Sequence, residues 1–116
     1  MTNLDPEGLT EVETTVAGVT FRRRESLGMV RMGIEQACSV RVVRESSNAY
    51  DPNAIRVEMR TDGDEAWHHV GYIPRALAAN LAPQMDSGVP VRVTCWDGGT
   101  LARDDSVPWV RLQLAI

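Results

Sequence analysis

With 116 residues, the chain is long enough for one domain with a single modest core and too short for two. An apolar fraction of 43% is typical of globular proteins and argues against wholesale disorder. The formal net charge of −4 argues against a general polyanion binder, so any nucleic-acid site must be local. Such a site would depend on a few of the twelve basic residues, all of which are arginine.

Cysteine content and apolar runs indicate the compartment. Cys38 and Cys95 are too few for a disulfide scaffold and lack the spacing of a zinc site. Neither a signal peptide nor a long apolar segment is visible. We therefore expect a cytoplasmic protein that makes no membrane contact.

The N-terminal third contains one strand and one ambiguous stretch. Residues 1–8 are polar and predict a flexible tail, which leaves residues 9–116 as a single domain. Residues 9–19 are rich in β-branched side chains and predict the first strand. Residues 26–36 fit either a short helix or an irregular crossing.

Between these two stretches, three arginines follow Phe21, the only phenylalanine of the chain. One interpretation is a solvated loop whose aromatic ring plugs the end of a barrel. The other makes Phe21 a stacking platform and the arginines phosphate contacts.

The rest of the chain predicts five more strands, at 37–44, 54–60, 67–73, 89–96 and 107–114. Asp-Gly content predicts turns at 61–64 and 97–99, and Pro108 is expected at the start of its strand or on an edge. Pro74 opens a helix over 75–85 that Gly88 ends. The pattern predicts a mainly β fold, a small OB-like six-stranded β-barrel with one clear helix between strands four and five.

Signatures of catalysis are nearly absent from the sequence. It contains no GxSxG, P-loop or HExxH motif and no Cys/His pattern typical of zinc. His68 and His69 are adjacent on a predicted strand and therefore point to opposite faces. We expect a protein that is not an enzyme and has no metal or cofactor, with a hydrolase or nuclease as the less favoured alternative.

The loop from Asn48 to Ala54 concentrates a tyrosine, a carboxylate and two carboxamides. A rigid turn can hold Tyr50 for base stacking, and Asp51 can accept hydrogen bonds from hydroxyls. A carboxylate repels internal phosphates, so it suits a terminus with a free hydroxyl. The alternative is structural: Asp51 and Asn53 cap the turn through their own backbone.

These features resemble the HIRAN domain family. The family frame has a Gly-plus-aromatic segment, an Asn-x-Tyr-Asp-x-Asn-Ala-Ile core and a Val-Gly-aromatic-Ile-Pro segment before an Ala- and Leu-rich helix. The corresponding stretches here are 17–21, 48–55 and 70–78. The resemblance covers about Val16 to Val93.

The resemblance implies an OB-like barrel that binds single-stranded DNA at a free 3′-hydroxyl, as in translocases of DNA-damage tolerance. Phe21 and Tyr50 would hold the terminal base, and Asp51 would accept from the 3′-hydroxyl. Tyr72 and Arg75 would lie along the phosphates. The remaining predicted contacts are Arg22, Arg23 and Asn53.

The sequence also departs from the family pattern. Thr20 replaces an arginine of the DNA-end binders, and Arg22 replaces a second aromatic residue. Trp96 and Trp109 are both candidates for a later stacking residue, or else for core or rim positions. The leading hypothesis is a non-catalytic module for DNA 3′ ends that works with a repair or replication protein. The alternative is a protein-interaction or small-ligand module that uses the same pocket.

Overall fold

The computed structural model describes residues 2–4, 10–35 and 37–116, and the side chains of residues 2–4, 23, 34 and 35 are outside that description. This part of the chain forms seven strands and two helices. In chain order they are β1 Thr2–Leu4, β2 Thr10–Thr15, α1 Arg23–Glu35, β3 Cys38–Arg44, β4 Ile55–Thr61, β5 His68–Tyr72, α2 Arg75–Asp86, β6 Arg92–Leu101 and β7 Asp104–Ala115.

The strands form two antiparallel sheets. One has the order β1-β2-β7-β6, and the other has the order β3-β4-β5. The prediction of a mainly β fold with a helix after the His68–Tyr72 strand is confirmed. A closed barrel is not found among the described residues, because the hydrogen-bonded strands divide into two separate sheets.

Among the described residues, an isolated backbone pairing beyond the end of β2 links the two sheets by hydrogen bonds. The N–H of Ala17 donates to the carbonyl of Tyr72 over 2.7 Å, and the N–H of Tyr72 donates back over 2.9 Å. A Cβ at position 71 would lie 2.5 Å from the Ala17 carbonyl oxygen, closer than real Cβ contacts. Only glycine therefore allows the two backbones to pair at this distance.

The core lies between the sheets and the two helices. Helix α1 contributes Met29 and Val30, and helix α2 contributes Leu81 with two alanines. Ser26 is also fully buried, and its hydroxyl donates to the carbonyl of Val70 over 2.8 Å. Val70 is the extra residue of a bulge against β4, so a helix side chain bonds the carbonyl of the irregular position. The apolar residues buried in the core are Val16, Val19, Met29, Val30, Ile55, Val57, Met59, Val70, Ile73, Ala78, Leu81, Ala82, Val110, Leu112 and Leu114.

Both helices follow local sequence signals, although α1 is longer than the short helix considered for residues 26–36. Helix α2 follows Pro74 and ends before Gly88, which has φ +96° and donates its N–H to Met85. Helix α1 has 13 residues, so the ambiguous stretch is a full helix that begins inside the arginine run. Gly28 and Gly33 interrupt the apolar periodicity of this helix in the sequence. Gly33 has a packing role, because two carbons of the Trp96 ring would lie 2.5 and 2.7 Å from a Cβ at this position.

The turn predicted at 97–99 is wrong. Strand β6 continues through those residues to Leu101, and the chain turns at 102–103. Gly98 and Gly99 make room for indole rings instead, since a Cβ at these positions would meet Trp96 at 2.9 Å and Trp109 at 3.2 Å. Pro108 lies inside β7, in the stretch that pairs with β6 alone, which agrees with the predicted edge position.

The predicted tail includes a strand. Thr2–Leu4 pair with residues 10–12 of β2. Residue 1 and residues 5–8 of the predicted tail lie outside the described part, so the division into tail and domain stays a prediction. Neither described helix has the length and apolar character needed to span a membrane.

We expect Gly71→Ala to destabilise the fold by about 1–3 kcal/mol, because the new methyl group would press on the Ala17 backbone. Gly28→Ala is the matched control in helix α1, where an added Cβ meets nothing within 4 Å. It should be neutral or stabilise by about 0.5–1 kcal/mol. Urea unfolding of the two variants and the wild type measures both effects, and equal midpoints for the two variants would contradict the close approach.

Candidate nucleic-acid interface

A cleft of about 340 Å³ lies where the 48–54 loop meets the corner between β5 and α2. It brings together four residues predicted from the sequence, Tyr50, Asp51, Tyr72 and Arg75. Residues Ala17, Asn48, Ala54 and Ile73 complete the lining. The cleft therefore combines an apolar floor with a few polar groups, as ligand sites commonly do.

Side chains of the loop bond its own backbone. The Asn48 Oδ1 accepts from the N–H of Tyr50 at 2.8 Å and of Asp51 at 3.0 Å. Asp51 Oδ1 in turn accepts from the N–H of Asn53 at 2.9 Å. The structural interpretation of Asp51 as a turn cap is thus correct, while Asn53 takes part through its N–H and is not among the lining residues. The Tyr50 side chain is left 92% exposed on a loop whose backbone is fixed.

Arg44 fixes the same loop from outside, a role that the sequence analysis did not assign. Its guanidinium donates to the carbonyls of Pro52 and Ala54, both over 2.9 Å. It also forms a two-pronged pair with Asp86 of helix α2, over 2.9 and 3.1 Å. The hydrogen bond from Arg44 holds the pKa of Asp86 below its ordinary value. Loop, strand and helix are joined through one side chain.

Glu45 organises the other side of the cleft and was also missed. Its Oε1 accepts from the Asn48 side-chain amide at 2.8 Å and from the Tyr72 hydroxyl at 3.0 Å. Arg56 lies 3.6 Å from Oε2. Burial raises the pKa of Glu45, but these hydrogen bonds and the arginine charge outweigh it and lower the pKa overall. The carboxylate therefore stays ionised and fixes two residues that line the cleft.

Asp51 has one oxygen left after capping its turn. Its Oδ2 lies 3.9 Å from Nε of Arg75, a long contact with a side chain that is 81% exposed. The Asp51 side chain itself is 21% exposed. A weakly held acceptor therefore faces the cleft, with a solvated cation at its edge.

Two of the other predicted residues, Phe21 and Arg22, line a neighbouring hollow of about 480 Å³ together with Arg24 and Glu25. The Phe21 ring is 92% exposed, and the side chain of Arg23 lies outside the described part. The pKa of His69 on β5 is lowered mainly by burial, and the charges of Arg22 and Arg56 lower it further. Arg22 therefore lies within electrostatic reach of β5, next to the cleft.

The two tryptophans have packing roles in this structure. Trp96 packs on the core, and the Trp109 indole N–H donates to the Thr100 carbonyl over 3.3 Å. Neither belongs to the lining of the cleft. His68 and His69 behave as separate residues, since His68 contacts Asp64 and His69 contacts the Gly71 carbonyl. Within the described residues, no three His, Cys, Asp or Glu side chains are grouped to hold a metal ion.

Comparison with known proteins identifies relatives of this chain. The profile of the HIRAN domain matches residues 9–112. A rice protein, the Fanconi-associated nuclease 1 homolog of Oryza sativa subsp. japonica, is 35% identical over 75 residues. The similar stretch is 65% of this chain and 7% of the rice protein, so the chain spans a small part of that relative. No solved structure matches significantly.

We expect Arg44→Lys to loosen the 48–54 loop, because an ammonium cannot hold two carbonyls and a bidentate carboxylate at once. Amide hydrogen exchange of Asn53 and Ala54 should speed up, with a stability loss of about 1–2 kcal/mol. Arg111→Lys is the control, since Arg111 pairs with exposed acids away from the loop. Equal exchange in both variants would show that Arg44 does not restrain the loop.

A second expectation concerns pH. Because the pKa of His69 is lowered in the folded protein, the unfolded chain takes up the proton more readily. Folding stability should therefore fall as pH drops from about 7.5 to about 5.5, through the ordinary range of histidine. Thermal unfolding of His69→Gln, followed across this pH range, should show a flatter dependence of stability on pH than the wild type. An unchanged slope in His69→Gln would contradict the assignment.

Proposed function

The chain belongs to the HIRAN domain family, and on that premise we propose that it is a non-catalytic module that binds single-stranded DNA at its 3′-hydroxyl end. HIRAN domains generally bind nucleic acid. Our proposal adds to this general property a preference for a single strand, for its 3′ end and for a free hydroxyl there. The geometry of the cleft supports it.

The observation that carries the proposal is the pairing of Tyr50 with Asp51. Tyr50 offers a ring that is 92% exposed on a fixed loop, which suits stacking of a base, worth about 1–3 kcal/mol. Beside it, Oδ2 of Asp51 is not used by the turn. An ionised carboxylate repels phosphate and accepts from hydroxyl. A phosphodiester within a strand has no such hydrogen to donate, whereas a 3′ end does.

Charge at the edge of the cleft agrees with a strand that leaves it. Arg75 at the rim is 81% exposed, and the hollow beside the cleft presents Arg22 and Arg24. Neither of these two forms an ion pair with another described residue. Together with the exposed Phe21, they provide local positive charge and an aromatic surface on a chain whose net charge is −4.

A protein-interaction or small-ligand module is the second candidate, favoured by the apolar floor that Ala17, Ala54 and Ile73 form. The substitution of an arginine by Thr20 also lowers the charge available for phosphate. Under either proposal the module would act with a repair or replication protein. The rice relative is named a nuclease, and we extend no nuclease activity to this chain, since the similar stretch is 7% of that protein.

The test compares fluorescent single-stranded oligonucleotides that end in a 3′-hydroxyl or a 3′-phosphate, by anisotropy at low salt. We expect the wild type to bind the hydroxyl end about tenfold more tightly, the value of one hydrogen bond to a charged group. Asp51→Asn keeps an oxygen for the turn but removes the charge, and it should abolish the preference.

Asp62→Asn is the matched control, because Asp62 is an exposed acid in the turn after β4. It should bind both ends as the wild type does. Equal affinity of the wild type for the two ends would refute end recognition. Absence of any binding at low salt would favour the protein-interaction module.

A further inference from the structure

The direction of one hydrogen bond decides what the Tyr72 hydroxyl can offer a ligand. Tyr72 lines the cleft, and its hydroxyl lies 3.0 Å from Oε1 of Glu45. An ionised carboxylate has no hydrogen, so Tyr72 must be the donor in this pair. Its only hydrogen is therefore directed to Glu45, and the phenolic oxygen keeps lone pairs that can accept.

The remaining polar groups at the cleft are also largely committed. The Asn48 oxygen already accepts two backbone N–H groups, and its amide donates to Glu45. The carbonyl of Ala17 accepts from the N–H of Tyr72. Among the described lining residues, the groups left inside the cleft for a ligand are the Tyr72 oxygen and Oδ2 of Asp51, both acceptors. The Tyr50 hydroxyl and Arg75 belong to exposed side chains at its rim.

We propose that Glu45, by holding the Tyr72 hydrogen, makes Tyr72 a second acceptor beside Asp51 and so sets the selectivity of the cleft for termini that carry hydrogen-bond donors. The inference rests on the proposed function and adds Glu45 as a positioning residue and Tyr72 as a specificity-determining one. It reverses the role of Tyr72 expected from the family resemblance, in which the residue lies along phosphates. A phosphate oxygen has no hydrogen to donate to either acceptor, so its contact with both oxygens is unfavourable.

Support for this role comes from how firmly Glu45 is held. Asn48 donates to the same oxygen that Tyr72 bonds, and Arg56 lies near the other one. The carboxylate cannot turn away without breaking the hydrogen bond that positions Asn48 and, through it, the Tyr50–Asp51 backbone. The orientation of the Tyr72 hydroxyl and the shape of the loop therefore depend on one group.

The test uses the same two oligonucleotides with Tyr72→Phe and, as its matched control, Tyr50→Phe. Both variants keep the ring and lose one hydroxyl, and no described residue bonds the hydroxyl of Tyr50. Tyr72→Phe should weaken binding of the 3′-hydroxyl end about three- to tenfold and leave the 3′-phosphate end unchanged or tighter. Tyr50→Phe should change the two ends equally.

Glu45→Gln tests the positioning role. A neutral amide accepts more weakly than a carboxylate, so the Tyr72 hydrogen becomes free to turn toward a phosphate oxygen. The ratio of the two affinities should shrink at least threefold, mostly through tighter binding of the phosphate end. Circular dichroism establishes that each variant is folded, and if Glu45→Gln is not, Tyr72→Phe decides the question alone.

The outcomes separate the two proposals. If Tyr72→Phe weakens the binding of both ends equally, the hydroxyl is merely structural and this inference is overturned. Weaker binding of the phosphate end alone would also overturn it. If the wild type prefers the hydroxyl end and Asp51→Asn removes that preference, the proposed function survives such a result. If the wild type shows no preference or no binding, both proposals fail together.

Discussion

The reciprocal backbone pairing of Ala17 with Tyr72 links the two sheets and sets the position of the candidate interface. It places β5 against the end of β2, and it is possible because position 71 has no Cβ. The chain then turns at Gly18, with φ +75°, and the N–H of Phe21 closes onto the Gly18 carbonyl. This pairing thus puts the exposed phenylalanine and the start of α1 beside the corner where Tyr72 lines the cleft.

Two consecutive residues, Arg44 and Glu45, hold the other side of the cleft. Arg44 ends β3 and Glu45 follows it, so their side chains leave the extended backbone on opposite sides. Arg44 bonds carbonyls of the loop and Asp86 of helix α2, whereas Glu45 bonds Asn48 and Tyr72. The arginine restrains the backbone of the loop, and the glutamate restrains the side chains that line the cleft. Binding would then require little ordering of the site, which reduces its entropic cost.

The sequence singled out several residues that share one cleft, but it predicted a closed barrel where the described strands form two sheets. The loop chemistry singled out Tyr50 and Asp51, the family resemblance added Tyr72 and Arg75, and one cleft brings all four together. The role of Glu45 could not be predicted, because its contact with Tyr72 joins residues 27 positions apart and depends on the sheet register.

The glycines inside β6 and α1 were not interpretable from the local sequence. Gly98 and Gly99 resembled a turn because turn chemistry and close packing both favour a residue without a side chain. Only the positions of the Trp96 and Trp109 rings distinguish the two cases. The same holds for Gly33, whose presence hid a helix that needs it for contact with Trp96. Such long-range packing is not encoded in the local pattern that sequence analysis reads.

The distribution of charge agrees with the proposal that an acidic chain makes a local nucleic-acid contact. Several described arginines are used internally: Arg41 and Arg56 pair with Glu58, Arg44 with Asp86, and Arg111 with two exposed acids. They neutralise carboxylates and contribute little attraction for phosphate. Arg22 and Arg24 lie at the hollow, whereas the cleft presents the acceptors Oδ2 of Asp51 and the Tyr72 oxygen, with the exposed Arg75 at its rim. Under the proposed function, a strand would be attracted at the rim and its end would be discriminated in the cleft, because phosphate suits the first environment and a hydroxyl suits the second.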